Sequence, residues 1–178
     1  VETGVMVAAT LARLVKGRVL LVVFDVVPRA IEATGQTYEA LREQAKYVTA
    51  DGGTSIGCGL LYAIEHGFEA DGIVLVSDGA ENNSPVFARV YASAAAKDDR
   101  WVPVYWYELH GQLRPEWVDR TERERAAFID GCARAGIDLQ RFDLTGGVDA
   151  YSIPNLAQTM RASRYSLLDD IMATPLKR

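Results

Sequence analysis

Apolar positions along the chain alternate between two spacings. Over residues 5–15, Val5, Ala8, Ala9, Leu11, Ala12 and Val15 form a broad stripe at helical spacing, which predicts a helix packed on a sheet. Gly17 stops it. Residues 18–24 (RVLLVVF) are apolar after the first position and predict a central or nearly central strand. Beyond Pro28, residues 29–33 alternate weakly, as a short edge strand does. Thr37 is an N-cap for a helix over 38–48 that turns Leu41, Ala45 and Val48 inward. A Gly52-Gly53-Thr54 turn opens a further helix with Ile56, Leu60, Leu61 and Ile64 on one face and Gly67 as its closing C′ glycine. Residues 72–77 (GIVLVS) then read as a strand buried on both faces.

The second half repeats the alternation. Ser84 as N-cap and Pro85 at the first helical position introduce an alanine-rich helix over 86–96. Residues 101–109 (WVPVYWYEL) predict a strand with Pro103 near its start. Its period of two puts Tyr105 and Tyr107 on one sheet face and Trp106 on the other, under helices. A stacking platform for nucleic acid is the weaker reading of these rings. A long charged helix over 117–135 carries Ala126, Phe128, Ile129 and Cys132, and Gly136 ends it. Residues 139–144 (LQRFDL) are the last strand, and 155–172 predict a terminal helix across the sheet. Strands alternating with helices predict an α/β fold, a doubly wound and mostly parallel sheet flanked by helices, over one domain of 178 residues.

Composition narrows the function classes. A net charge of −5 argues against a nucleic-acid surface, which relies on clustered Lys and Arg. Arg120, Arg123 and Arg125 are interleaved with Glu122 and Glu124, the pattern of a solvated helix face. Cys58 and Cys132 stand far apart without a paired motif and read as small core residues of a reducing compartment, so a cytoplasmic location is the default. No apolar run approaches the roughly 20 residues that span a bilayer.

The candidate chemistry sits around Ser77-Asp78-Gly79, which places a carboxylate at the carboxyl end of a buried strand, the edge where open α/β sheets bind ligands. With the Thr54 hydroxyl in the preceding turn, this gives two hard oxygen ligands of the kind Mg²⁺ or Mn²⁺ prefers. Ser55 and Glu81 lie close enough in sequence to join the rim, and Asn82 and Asn83 read as turn residues. Taken singly, Thr54 reads better as an N-cap, and Asp78-Gly79 can be an ordinary turn. His66 at a helix end fits a favourable helix-dipole contact. His110 lies in a turn, and neither histidine has a serine or cysteine partner at a catalytic spacing. The glycine-rich phosphate loops are absent.

The order GGTSIGCGL, then IVLVSDGAENN, resembles the second and third metal-site loops of a von Willebrand factor type A (vWA) domain. The resemblance implies a Rossmann-like vWA fold in which Thr54 and Asp78 help hold a divalent cation at a metal-ion-dependent adhesion site (MIDAS). The Asp-x-Ser-x-Ser loop that completes such a site is absent, and the chain opens on the helix that should follow it. The resemblance therefore covers nearly all of residues 1–178 but begins one strand late. It implies an N-terminally incomplete domain whose first central strand is missing or supplied from elsewhere, with metal affinity weak or absent without that loop.

By the same resemblance the function is that of a non-enzymatic binding module, whose ion accepts a carboxylate from a partner protein. The tail FDLTGGVDAYSIPNLAQTMRASRYSLLDDIM is loosely similar to the carboxyl-terminal vWA domain of Ro/TROVE-type ribonucleoproteins. That similarity implies RNA only through a companion domain, and other bacterial vWA proteins fit equally. Two alternatives stand beside this reading. One is a metal-dependent hydrolase or phosphoryl-transfer enzyme, for which only Asp78 is placed. The other is a structural scaffold with a degenerate metal site.

Overall fold

The computed structural model describes residues 1–48, 53–110 and 114–143. Among them the chain runs α1 (Glu2–Leu14), β1 (Leu20–Phe24), β2 (Pro28–Glu32), α2 (Tyr38–Ala45), α3 (Ile56–Glu65), β3 (Ile73–Ser77), α4 (Phe87–Asp98), β4 (Val104–Glu108), α5 (Pro115–Arg134) and β5 (Leu139–Asp143). This is an α/β architecture with a three-stranded parallel sheet flanked by helices, compatible with a Rossmann-like fold. The terminal helix expected over 155–172, and Leu144 at the end of the last strand, fall outside the described residues.

The sheet differs from the expected single doubly wound layer. Among the described residues β1 pairs only with β2, antiparallel, with Leu20 opposite Glu32 and Phe24 opposite Pro28. Strands β3, β4 and β5 form a separate parallel sheet, with Ile73 opposite Val104 and Val104 opposite Leu139. Burial follows this pairing. Strand β4, with a neighbour on each side, is buried at every position, whereas β1 is half-buried throughout although equally apolar.

Each helix buries one stripe, and the stripes fill two faces. On one face Trp106 joins Ile56, Leu75, Phe87, Tyr91, Phe128 and Cys132, drawing in α3, α4 and α5. On the other, Val7 and Leu11 of α1 meet Tyr105 and Tyr107. Val5, Ala8 and Ala9 of the same helix pack with Ala33, Leu41 and Ala45, where Leu21 and Ile31 join them. The aromatic strand is thus core, with its rings on opposite faces as the period of two requires. Cys58 and Cys132 are buried free thiols, and burial pushes Cys132 up to about 12.

Helix ends show where local signals sufficed. Thr37 Oγ accepts from Ala40 N at 3.3 Å and caps α2. Gly67, at φ +67°, closes α3 with Phe68 N donating to Ala63 O and Gly67 N to Ile64 O, the double bond of a Schellman end. Two caps fall elsewhere than expected. Ser55, not Thr54, is the N-cap of α3, its Oγ accepting from Cys58 N at 3.2 Å. Helix α4 begins at Phe87, so Ser84 and Pro85 precede it, and its N-cap Val86 has no side-chain bond to offer.

Candidate functional site

The carboxyl ends of β1 and β3 meet at the turn that opens α3. Ser55 N donates to Asp25 O at 2.7 Å, tying this turn to the end of β1. Thr54 N donates to Asn82 Oδ1 at 2.9 Å, and Asn82 N and Asn83 N both return bonds to Thr54 O at 3.0 Å. The loop carrying Thr54 and the loop following Asp78 are therefore laced together by backbone and amide groups. Asn82 and Asn83, expected as turn residues, are the laces. Gly53 lies under them, since a Cβ there would come within 2.4 Å of Asn83 Nδ2.

Asp78 is held by its own turn. Its Oδ1 accepts from Ala80 N at 3.0 Å, and Gly79 N donates to Ser77 Oγ at 3.1 Å. Gly79 adopts φ +75°, and an added Cβ would lie 2.6 Å from the Trp106 ring. Both the backbone conformation and the ring exclude a side chain there. Trp106 Nε1 in turn donates to Ser77 O at 2.9 Å. The carboxylate thus projects from a turn clamped from below by a buried indole.

The two other rim candidates are committed to the scaffold. Ser55 is fully buried, and its Oγ donates to Pro85 O at 2.7 Å while capping α3. Glu81 reaches between two helix starts: it accepts from Gly57 N at 2.9 Å and from Phe87 N at 3.0 and 3.1 Å. One carboxylate thus serves first-turn N–H groups of both α3 and α4, where both helix dipoles favour negative charge. Burial pushes the Glu81 carboxyl above its ordinary range, against the opposing pull of those backbone donors. The close approach that allows this needs glycine at position 57, because a Cβ would sit 2.3 Å from Pro85 O.

Glu81→Ala leaves the Gly57 and Phe87 N–H groups without their acceptor. A buried unsatisfied donor costs about 1–3 kcal/mol, and release of a desolvated carboxylate offsets part of that, so the expected loss is about 2 kcal/mol by urea unfolding. The pH dependence has a fixed sign. With the folded pKa raised, proton binding favours the folded state, and this contribution is lost as pH rises through the folded value. Stability relative to Glu81→Gln should therefore fall with rising pH across the acid range. A difference independent of pH would mean that the carboxyl is not desolvated.

Sequence reasoning missed two parts of this edge. Asp25 stands at the carboxyl end of β1 as Asp78 does at the end of β3, and its Oδ1 accepts from Val27 N at 2.7 Å. That bond holds its carboxyl below the ordinary range. The signal was present in VVFD, a carboxylate closing an apolar run, and is the one that singled out Asp78. The second part is a charge cluster. Glu108 at the end of β4 is buried, bonded by Arg141 Nη2 at 2.7 Å and paired with Arg125 Nε at 3.3 Å. Arg125 Nε also donates to Asp78 O at 3.1 Å, so this arginine is not on a solvated face as its charge pattern predicted. His110 Nε2 lies 3.3 Å from Asp143 and 3.7 Å from Glu108.

As a metal site, the edge offers Thr54 and Asp78 as oxygen donors of a type that fits Mg²⁺ or Mn²⁺, with a single carboxylate between them. Among the described residues no group of three or more His, Cys, Asp or Glu is gathered for a metal ion, and no helix is long and apolar enough to cross a membrane. The sequence matches no family model, and no curated protein matches it.

Proposed function

We propose that this chain is a non-enzymatic protein-binding module of the vWA kind, with a MIDAS-like divalent-cation site at the carboxyl edge of its strands. Thr54 and Asp78 would supply protein oxygens, and a carboxylate of a partner protein would complete the coordination of the ion. The observation that carries this reading is the lacing of the Thr54 loop to the loop after Asp78 through Asn82 and Asn83. It holds the Thr54 turn against the loop that follows Asp78, which supports reading the two motif pieces together. A vWA domain of the Ro/TROVE type would owe any RNA association to a companion domain.

The binding reading is preferred to a hydrolase or phosphoryl-transfer enzyme because the other polar groups of this edge are engaged in holding the fold. Ser55 and Glu81 serve helix starts, and Arg125 holds Glu108 and the Asp78 carbonyl. A scaffold with a degenerate site is favoured by one observation, that Asp78 Oδ1 already has the Ala80 N–H as a partner.

Titration of the chain with Mn²⁺, followed by the loss of free-ion electron paramagnetic resonance signal, separates the metal-binding module from the scaffold. The binding module predicts weak, saturable uptake of one ion that Asp78→Ala abolishes and Thr54→Ala reduces. Equal uptake by wild type and Asp78→Ala, or none by either, would leave the scaffold.

A further inference from the structure

The turn Ser77-Asp78-Gly79 presents successive carbonyls, and the outer ones are satisfied by backbone donors. Ser77 O accepts from Leu109 N at 3.0 Å and Gly79 O from Glu81 N at 2.9 Å. The carbonyl between them is that of Asp78, whose partner among the described residues is Arg125 Nε of α5, at 3.1 Å. The arginine stem also lies over the turn, since a Cβ on Gly79 would come within 3.3 Å of Arg125 Cγ.

The Asp78–Gly79 peptide unit sets the direction in which the Asp78 carboxylate projects. Its other polar end, Gly79 N, bonds the Ser77 hydroxyl at 3.1 Å. Glycine offers the least resistance to rotation of such a unit, and Gly79 already stands at φ +75°. The bond from Arg125 therefore fixes an orientation that the glycine itself does not. The Ala80 N–H that meets Asp78 Oδ1 at 3.0 Å moves with the same turn.

Arg125 has a second task that can be separated from this one. Its Nε also lies 3.3 Å from Oε1 of the buried Glu108, and its Nη1 lies 3.0 Å from Glu122. An arginine fork can meet a carboxylate with two parallel N–H groups. Here Nε is shared with a neutral carbonyl instead, and Arg141 takes the other Glu108 oxygen at 2.7 Å. The ion pair alone does not require that arrangement.

We infer that Arg125 is a positioning residue for Asp78: α5 orients, through the N–H at Nε, the carboxylate used by the proposed cation site. The inference takes its ligand from that proposed function and its geometry from the hydrogen bonds of the turn. Arg125 is itself a cation and acts on the ion only through Asp78.

The test compares the 178-residue wild-type chain with two double variants, Glu108→Leu with Arg125→Met and Glu108→Leu with Arg125→Gln. Both remove the buried charges, but glutamine places an N–H donor where Nε stood and methionine places none. Amide hydrogen exchange at Gly79 and Ala80 is read against the amides of β4, so that a fall in global stability alone does not raise the ratio. The ratio should rise at least about fivefold with methionine and return toward wild type with glutamine. An unchanged ratio with methionine overturns the inference. So does an equal rise in both variants, which would follow from the loss of Glu108 alone.

Mn²⁺ binding supplies the second readout. Affinity should fall at least about tenfold with methionine and stay nearer wild type with glutamine. Faster exchange with unchanged affinity would overturn the positioning role, because the ion would then be indifferent to the order of the turn. No uptake by wild type ends the cation reading itself, and exchange then decides alone whether Arg125 orients the turn. If the methionine variant does not fold, Glu108→Gln with Arg125→Lys takes its place under the same criteria, because lysine carries a methylene at the position of Nε.

Discussion

Replacement of Glu108 by alanine lowers the unfolding free energy by about 3–5 kcal/mol, the cost of stranding a buried charge. Arg125 is the reason. Its side chain is only 11% exposed and has Glu108 at 3.3 Å, while Glu122 at 3.0 Å is itself largely in water. With Glu108 gone, the guanidinium must stay buried with weak compensation or pull away from the Asp78 carbonyl that it also holds. Arg141, nearly half exposed, can turn to solvent and should contribute little. The double variant Glu108→Leu with Arg125→Met removes both charges and should recover most of the loss, since apolar replacement of a buried pair is often neutral. The measurement is a double-mutant cycle by urea unfolding. A single-variant loss below about 1 kcal/mol would put the pair in the class of solvated surface bridges.

Trp106→Ala is expected to cost a similar amount, about 3–5 kcal/mol, as for other large aromatic truncations in a packed core. The ring is fully buried and meets Phe128 at a centroid distance of 5.2 Å in an edge-on arrangement. It also forms the floor under Gly79 and bonds Ser77 O, so its removal loosens the turn that presents Asp78. Trp106→Phe separates the two contributions. It retains most of the packing and loses the indole N–H, but Ser77 O keeps the Leu109 N–H at 3.0 Å, so the cost should be that of one hydrogen bond, about 0.5–1.5 kcal/mol. Near-UV circular dichroism would register the lost contact with Phe128. If Trp106→Phe equalled Trp106→Ala in cost, the hydrogen bond and not the packing would dominate this site.

Together these residues show that the candidate edge is built largely by side chains from outside its own loops. Asp78 was legible because a carboxylate after an apolar β-branched run marks the carboxyl end of a strand, and Thr54 because it stands in a glycine turn before a helix. Glu108 and Arg125 were not. Arg125 sits in a run of alternating charge that satisfies every local criterion for a solvated face, and only the placement of α5 across the end of β4 brings it onto Glu108. Glu81 was seen as a neighbour of Asp78, yet its role depends on α3 and α4 starting within reach of the same carboxylate.

The alternation of apolar runs and helical stripes determined, by sequence alone, the order and type of the described elements, the short strand at β2, the capping of α2 by Thr37 and the glycine end of α3. These depend on backbone conformation and on neighbours within a few residues, which is information a sequence carries. Tertiary structure decided the rest. It separated β1 from β3 among the described residues, moved the cap of α3 to Ser55, handed the start of α4 to Glu81 and buried Arg125. Apart from the Ser55 cap, whose own bond to Cys58 N is local, each of these turns on a partner at least six residues away in sequence, which no local pattern could specify. The choice between edge and interior for β1 has the same origin: its composition fits an interior strand, and only the strand pairing shows which of its sides is filled.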